Sequence, residues 1–189
     1  MSQPVPTLLT PKSMRSFDQA LLASHPEERW FAVYTRANHE KSVATQLEMR
    51  GIRHFLPLYS SLRRWKDRRV RLDMPLFPGY IFVHFALSAC LRTLEVPGVV
   101  RVIGFNGQPY PLPESEIETL RTGIMNAMRI EPHRLLNAGC RVRIKSGPLA
   151  GTEGILVRKK NVHRVVLTIS AIARSASVEV DILEIERIA

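Results

Sequence analysis

The sequence predicts an α+β chain, with an antiparallel sheet and flanking helices joined by a linker to a small β-barrel. Three observations predict it. Between residues 30 and 129 the hydrophobic patterning reads β-α-β-β-α-β-α, an order that suits helices packed on one side of an antiparallel sheet. At Pro132 the pattern breaks, because proline interrupts a continuing helix. Beyond it only short, alternating strands follow, at the spacing of a small barrel that closes its own edges. The expected divisions are a mobile leader over 1–29, a first domain over 30–129, a linker over 130–137 and the barrel over 138–189.

In the leader, Pro4, Pro6, Pro11 and Pro26 leave room only for a short helix from about Ser16. Trp30–Arg36 is rich in aromatic and β-branched residues and predicts a strand. Asn38 suits an N-cap, with Glu40 in the first turn of a helix that runs to Arg50, and Gly51 stands at the stop position. Ile52–Leu58 resumes as extended chain, with Pro57 at an edge or strand end. Pro78-Gly79 forces a turn before the strand Tyr80–Phe85, which is apolar on both alternate sets and so is either buried twice or presents a face to a partner. Ser88 caps a short helix to Glu95, and Val99–Phe105 is the next strand. Ile117, Leu120, Ile124 and Met128 recur at helical spacing. In the barrel region, Arg141–Lys145 alternates with Val142 and Ile144 inward, followed by strands at Ile155–Arg158, Arg164–Ile169 and Ser177–Val180.

Composition narrows the function classes. The chain has 189 residues and a formal net charge of +10, which favours nucleic acid as a partner. The basic excess lies in both expected folded regions and not in the leader. Cys90 and Cys140 are the two cysteines, which excludes a disulfide scaffold and a cysteine-rich zinc module and fits a reducing cytoplasm. No apolar run is long enough for a bilayer, and the first residues lack the pattern of a secretory signal, so no membrane association is expected. The six histidines are scattered without metal-ligand spacing, the acids form no local Mg²⁺ cluster, and no serine sits in G-x-S-x-G. Gly147–Gly154 is glycine-rich, but no Lys-Ser/Thr follows at the spacing of a phosphate loop. The expectation is a protein without cofactor, metal or catalytic residues.

Two features carry a positive signal. Arg63–Arg71 holds six bases in nine residues: Arg63, Arg64, Lys66, Arg68, Arg69 and Arg71. Such a run is either a solvated hairpin tip or an arm for phosphates. Trp65 inside it either stacks on a base or anchors the loop, and spacing leaves both open. Phe77, Tyr80 and Phe82 form the densest aromatic group, readable as core or as a docking face.

These residues together resemble a family. Trp30-Phe31-Ala32-Val33-Tyr34-Thr35-Arg36, a helix, and then Pro75-Leu76-Phe77-Pro78-Gly79-Tyr80-Ile81-Phe82-Val83 are similar to the N-terminal (NGN) domain of NusG-type transcription elongation factors. Gly139–Gly154 resembles a KOW motif, the start of an SH3-like β-barrel. Tyr34-Thr35-Arg36, Asn38-His39-Glu40-Lys41, Phe55-Leu56-Pro57-Leu58 and the basic insert running into Pro75 are most similar to the specialised paralogues of UpxY, LoaP or RfaH type.

The resemblance implies a monomeric cytoplasmic regulator of transcription elongation and antitermination, with no enzymatic activity. It implies an apolar surface for the clamp helices of the RNA polymerase β′ subunit, containing Phe77 with Tyr80, Trp30 and Tyr34 near it. It places the basic run toward DNA or nascent RNA. It gives the KOW barrel a second partner, such as a ribosomal protein or Rho, at a surface including Ile172 and Arg174. Housekeeping members carry an aromatic-Gly-Arg segment there, whereas this chain has Ala171-Ile172-Ala173-Arg174. Residues 89–93, Ala-Cys-Leu-Arg-Thr, also lack the His-Thr element by which RfaH-type members read bases. Val165, Val166, Ile169, Val178 and Val180 favour strands, so a helical alternative for the C-terminal region is not expected. A structural RNA-binding KOW protein is the competing reading, and it has no need of Trp30–Phe85. A nucleic-acid-processing enzyme is disfavoured by the missing acidic cluster.

Overall fold

A computed structural model describes residues 7–9, 27–64, 68–105, 108–133, 140–159 and 162–188. Its elements, in chain order, are β1 Thr7–Leu9, β2 Arg29–Thr35, α1 Glu40–Met49, β3 His54–Phe55, β4 Leu58–Arg64, β5 Arg69–Pro75 and β6 Tyr80–Phe85. After a 3-10 turn at Leu87–Ala89 come α2 Cys90–Leu94, β7 Val99–Phe105, β8 Gln108–Pro109, β9 Pro111–Leu112 and α3 Glu114–Met125. The last strands are β10 Ile130–His133, β11 Cys140–Ile144, β12 Glu153–Lys159, β13 Val162–Ile169, β14 Arg174–Glu179 and β15 Ile185–Arg187. The chain is α+β, and its strand pairs are antiparallel.

By internal contacts the chain forms two units, one of residues 1–56 and 77–114, the other of residues 57–76 and 115–189. The first holds a sheet in the order β1-β7-β2-β6-β3, with β8 beside β7 and β9 beside β2. One face of this sheet, Phe31, Val33, Ile81, Val83, Phe85 and Val102, packs with Val43 and Leu47 of α1 and Cys90 and Leu94 of α2. The 3.6-residue period of α1 places Val43 and Leu47 one above the other, and both are fully buried. Both helices therefore lie on one side of the sheet, as the sequence order suggests.

The second unit contains the β4–β5 hairpin, a six-stranded sheet in the order β10-β14-β13-β12-β11-β15, and most of α3. Val142, Ile144, Val165, Leu167, Ile169, Ala176 and Val178 are buried, a core built from alternate strand positions. This sheet-rich region is consistent with a KOW-like domain. Among the described residues no helix is long and apolar enough to cross a membrane.

Four expectations are corrected. Thr7–Leu9, placed in the mobile leader, pairs with Gly104, Ile103 and Val102 of β7; the helix expected from Ser16 lies outside the described residues. Asn38 does not cap α1: its φ is +62° and His39 is the N-cap residue, without a side-chain cap bond. Asparagine tolerates the left-handed region, and here that property turns the chain into the helix. α3 ends at Met125, so Met128 falls beyond it, and the buried stripe is Ile117, Leu120 and Gly123. The segment read as a linker begins with strand β10, paired to β14 from Ile130↔Val178 to His133↔Ser175. Pro132 is exposed on this outermost strand, where a missing amide is tolerated. Residues 134–139 lie outside the described residues.

Candidate functional site

The strand alternation of β2 and β6 puts a second set of side chains on the face away from α1 and α2. Trp30 pairs with His84, Ala32 with Phe82, and Tyr34 with Tyr80. The rings line this face in three groups. Trp30 and His84 centroids are 4.9 Å apart, and the Arg53 guanidinium lies 5.2 Å from the Trp30 ring centroid. Phe82 receives Phe77 edge-on at 5.9 Å and Phe55 in a stacked arrangement at 6.3 Å. Tyr34 and Tyr80 meet edge to face at 5.3 Å, with Arg101 4.6 Å from the Tyr34 ring centroid. Such edge and stacked geometries, with guanidinium groups over ring faces, are the arrangements aromatic quadrupoles favour.

The four residues expected in a docking face, Trp30, Tyr34, Phe77 and Tyr80, thus lie within these aromatic groups. They are not equally open. Trp30 is 1% exposed and Phe77 2% exposed, whereas Tyr34 and Tyr80 are half-buried. The expectation of an open face at Trp30 and Phe77 is corrected accordingly. On this face β2 and β6 are covered at Trp30, Ala32 and Phe82 and partly open at Tyr34, Tyr80 and His84.

The Pro78-Gly79 turn fixes where Tyr80 begins. Gly79 has φ +83°, and a Cβ there would come within 2.9 Å of the Tyr34 ring. Its amide donates to Glu40 Oε1 at 2.7 Å, and its carbonyl accepts from the Thr35 amide at 2.8 Å. Glu40 is buried. Its carboxylate is held by α1, so helix, turn and aromatic face are locked to one another.

The basic run forms the outer end of the β4–β5 hairpin. Arg64 faces Arg69 across the ladder, and Leu62 faces Arg71, so these four share one face; Arg63 lies opposite Val70 on the other. Arg63, Arg64, Arg68, Arg69 and Arg71 are exposed, and Leu62 is 61% exposed. Among the described residues no carboxylate pairs with Arg63, Arg64, Arg69 or Arg71. Like charges directly opposed across a ladder are unfavourable, and a polyanion relieves that cost. Lys66 and Trp65 lie outside the described residues.

In the second unit Ile172 is buried in a 3-10 turn at Ser170–Ile172, and Arg174 is exposed at the start of β14. Ile172 is therefore corrected from surface to interior, while Arg174, after Ala173 at φ +49°, stays exposed. Cys90 is buried, and burial pushes its thiol up to about 12, so it stays protonated and unreactive. Among the described residues no three of His, Cys, Asp or Glu stand together as metal ligands.

The family model described as NusG, "Transcription termination factor nusG", matches residues 28–121, the stretch that supplies the aromatic face and the hairpin. Residues 28–121 are a NusG-family domain. The Helicobacter pylori J99 transcription termination/antitermination protein NusG is 26% identical over 172 residues, covering 84% of this chain and 98% of its own. Its Escherichia coli K12 counterpart is 24% identical over 181 residues, covering 88% and 99%. The solved structure "Domain interaction in Thermotoga maritima NusG" superposes with a TM-score of 0.54 at 24% identity, covering 86% of this chain and 98% of that one, and supports the fold. Over most of its length the chain is thus similar to NusG transcription termination/antitermination proteins.

Within this NusG-family domain, sequence reasoning missed Glu40, Arg53, His84 and Arg101. Glu40 reads as a first-turn charge, yet it is the buried acceptor for Gly79. Arg53 and Arg101 lie over the Trp30 and Tyr34 rings. Strand register carries the signal for Arg101, which pairs with Tyr34; nothing local in the sequence carries it for Glu40.

Proposed function

We propose that this chain binds RNA polymerase through the aromatic face of its NusG-family domain around Tyr34 and Tyr80, with the β′ clamp helices as the docking element. Bound there, it favours the closed, actively elongating clamp and so suppresses pausing or termination. That is a shift between polymerase states driven by differential affinity, with no chemical step. The exposed arginines of the β4–β5 hairpin contact DNA or nascent RNA beside the polymerase. The KOW-like unit recruits a second protein, a ribosomal protein or Rho, with Arg174 at its surface. The site of action is the cytoplasm.

The observation that carries this reading is the half-buried Tyr34–Tyr80 pair, on the sheet face that also holds the buried Trp30 and Phe82, with Gly79 packed against Tyr34 and bonded to Glu40. Half-exposed tyrosines set beside buried rings are the composition of an interface anchor, and removing such an anchor costs about 2 kcal/mol or more of binding. The test is binding of the full chain to cognate RNA polymerase at near-physiological salt, beside Tyr80→Ala and Phe77→Ala chains checked for folding. Binding that falls at least about tenfold in folded Tyr80→Ala supports the docking face. Binding indifferent to both substitutions and abolished by salt overturns it and favours the RNA-binding alternative, for which the hairpin arginines suffice.

A further inference from the structure

Strand β10 is a thin edge. It has four residues, one of them Pro132, and it ends the six-stranded sheet against β14. The ladder is short, because only alternate residues of so brief a strand bond to β14 and Pro132 turns toward the open edge. Side chains hold it too. Ile130 is buried, and a Cβ on Gly123 would come within 2.8 Å of its Cδ1. Glu131 Oε2 accepts from Arg164 Nη1 at 2.7 Å. The Arg164 side chain is 5% exposed, and its Nε finds no acceptor among the described residues. Glu179 accepts from Arg164 Nη2 at 3.4 Å, and Arg129 Nε donates to Glu131 Oε1 at 3.2 Å.

From this juxtaposition we infer that the β14 edge beside Arg164 is a strand-acceptor site. Ile130–His133 fills it in cis, and its occupant in trans is an extended protein segment with an apolar residue followed by an acidic one. Lifting β10 away bares the backbone edge groups of Ser175 and Ser177, the β14 positions that face it, and an incoming strand can pair them in register. It also leaves Arg164 with Glu179 as its carboxylate partner, beside a basic neighbour, Arg129. A buried cation that loses a carboxylate is strongly unfavourable, so an incoming strand must bring one at the position of Glu131. The tethered β10 competes at high effective concentration and excludes segments that lack the acid. This inference does not depend on polymerase docking, and its test contains no polymerase.

The test uses the full chain and a fluorescent synthetic peptide copying residues 128–134, followed by anisotropy. The folded Glu131→Lys chain is expected to bind the peptide roughly tenfold tighter than wild type, since its own strand no longer satisfies Arg164. The peptide carrying Gln in place of its Glu is expected to lose that gain. Equal binding to wild type and folded Glu131→Lys, or a gain that survives in the Gln peptide, overturns the site. Should Glu131→Lys fail to fold, hydrogen exchange on the wild-type chain decides. The β14-bonded amides of Glu131 and His133 are expected to exchange about tenfold or more faster than those of Val165 and Leu167. Equal protection would mean that β10 opens only with the whole barrel, and the inference fails.

Discussion

Glu40 Oε1 accepts a hydrogen bond from the Gly79 amide at 2.7 Å, a contact that joins the first residue of α1 to the turn before β6 across 39 residues of sequence. A buried carboxylate serving one backbone amide is a positional device: if it goes, the amide is left without an acceptor. Glu40→Ala is expected to lower unfolding free energy by about 1–3 kcal/mol in urea, with Glu40→Gln losing less because its carbonyl can still accept. A loss below about 0.5 kcal/mol in Glu40→Ala would show that the amide finds another partner.

Gly79→Ala combines a left-handed backbone with a ring contact at 2.9 Å. Gly51 gives an internal control, because it has φ +66° and nothing within 4 Å of where a Cβ would stand. Gly51→Ala is expected to cost about 1 kcal/mol for the backbone alone, and Gly79→Ala at least about 1 kcal/mol more from the clash with Tyr34. Thermal melts of the two variants measure the difference directly, and equal costs would place Tyr34 off the turn.

The hairpin prediction concerns salt. If Arg64, Arg69 and Arg71 meet phosphates, removing one lowers the slope of log affinity against log salt by roughly 0.7–0.9. Titrating single-arginine variants against single-stranded and duplex nucleic acid checks it. Variants with an unchanged slope would leave the exposed arginines as solvated surface.

Acid dependence follows from Glu153. The Arg143 guanidinium, by hydrogen bonding first and by charge second, holds the Glu153 carboxyl below its ordinary value of 4.5, with Arg141 adding to it. A folded-state value below the unfolded one stabilises above the unfolded value and is lost as pH falls through the folded one. Glu153→Gln is therefore expected to flatten the fall in stability below about pH 4.5 and to leave neutral stability nearly unchanged, as suits an exposed pair. Urea midpoints between pH 3 and 7 test this; an unchanged acid limb would count against it.

Alkylation separates the cysteines. With its thiol pushed up to about 12, Cys90 carries almost no thiolate at pH 8, while Cys140 is partly exposed. Mass spectrometry after iodoacetamide treatment is expected to find Cys140 modified first and Cys90 modified only on denaturation.

What the sequence makes legible here is what depends on near neighbours. The aromatic strand at Trp30, the Pro78-Gly79 turn and the apolar period of α1 are local patterns, and each forms where it is expected. The basic run is equally plain in the sequence, and its hairpin register follows from alternation. What is not legible depends on distant partners. Pro132 reads as a break because proline interrupts a continuing helix, yet Glu131 finds Arg164 33 residues on and the segment is a strand. Trp30 and Phe77 read as candidates for a surface because aromatic composition alone does not say what covers a face. Ile172 reads as a surface residue through a resemblance alone, and in the structure it is buried.

The Arg164–Glu131 bond also bears on how separable the C-terminal barrel is. A fragment starting at residue 138 would carry a buried guanidinium and leave behind one of its two carboxylates. Grafting the barrel onto another protein, or exchanging it between relatives, therefore has to move the junction upstream of Arg129, so that the charge travels with its counterion. The charge pairing that holds β10 thus begins before the proline that reads as a break in the sequence.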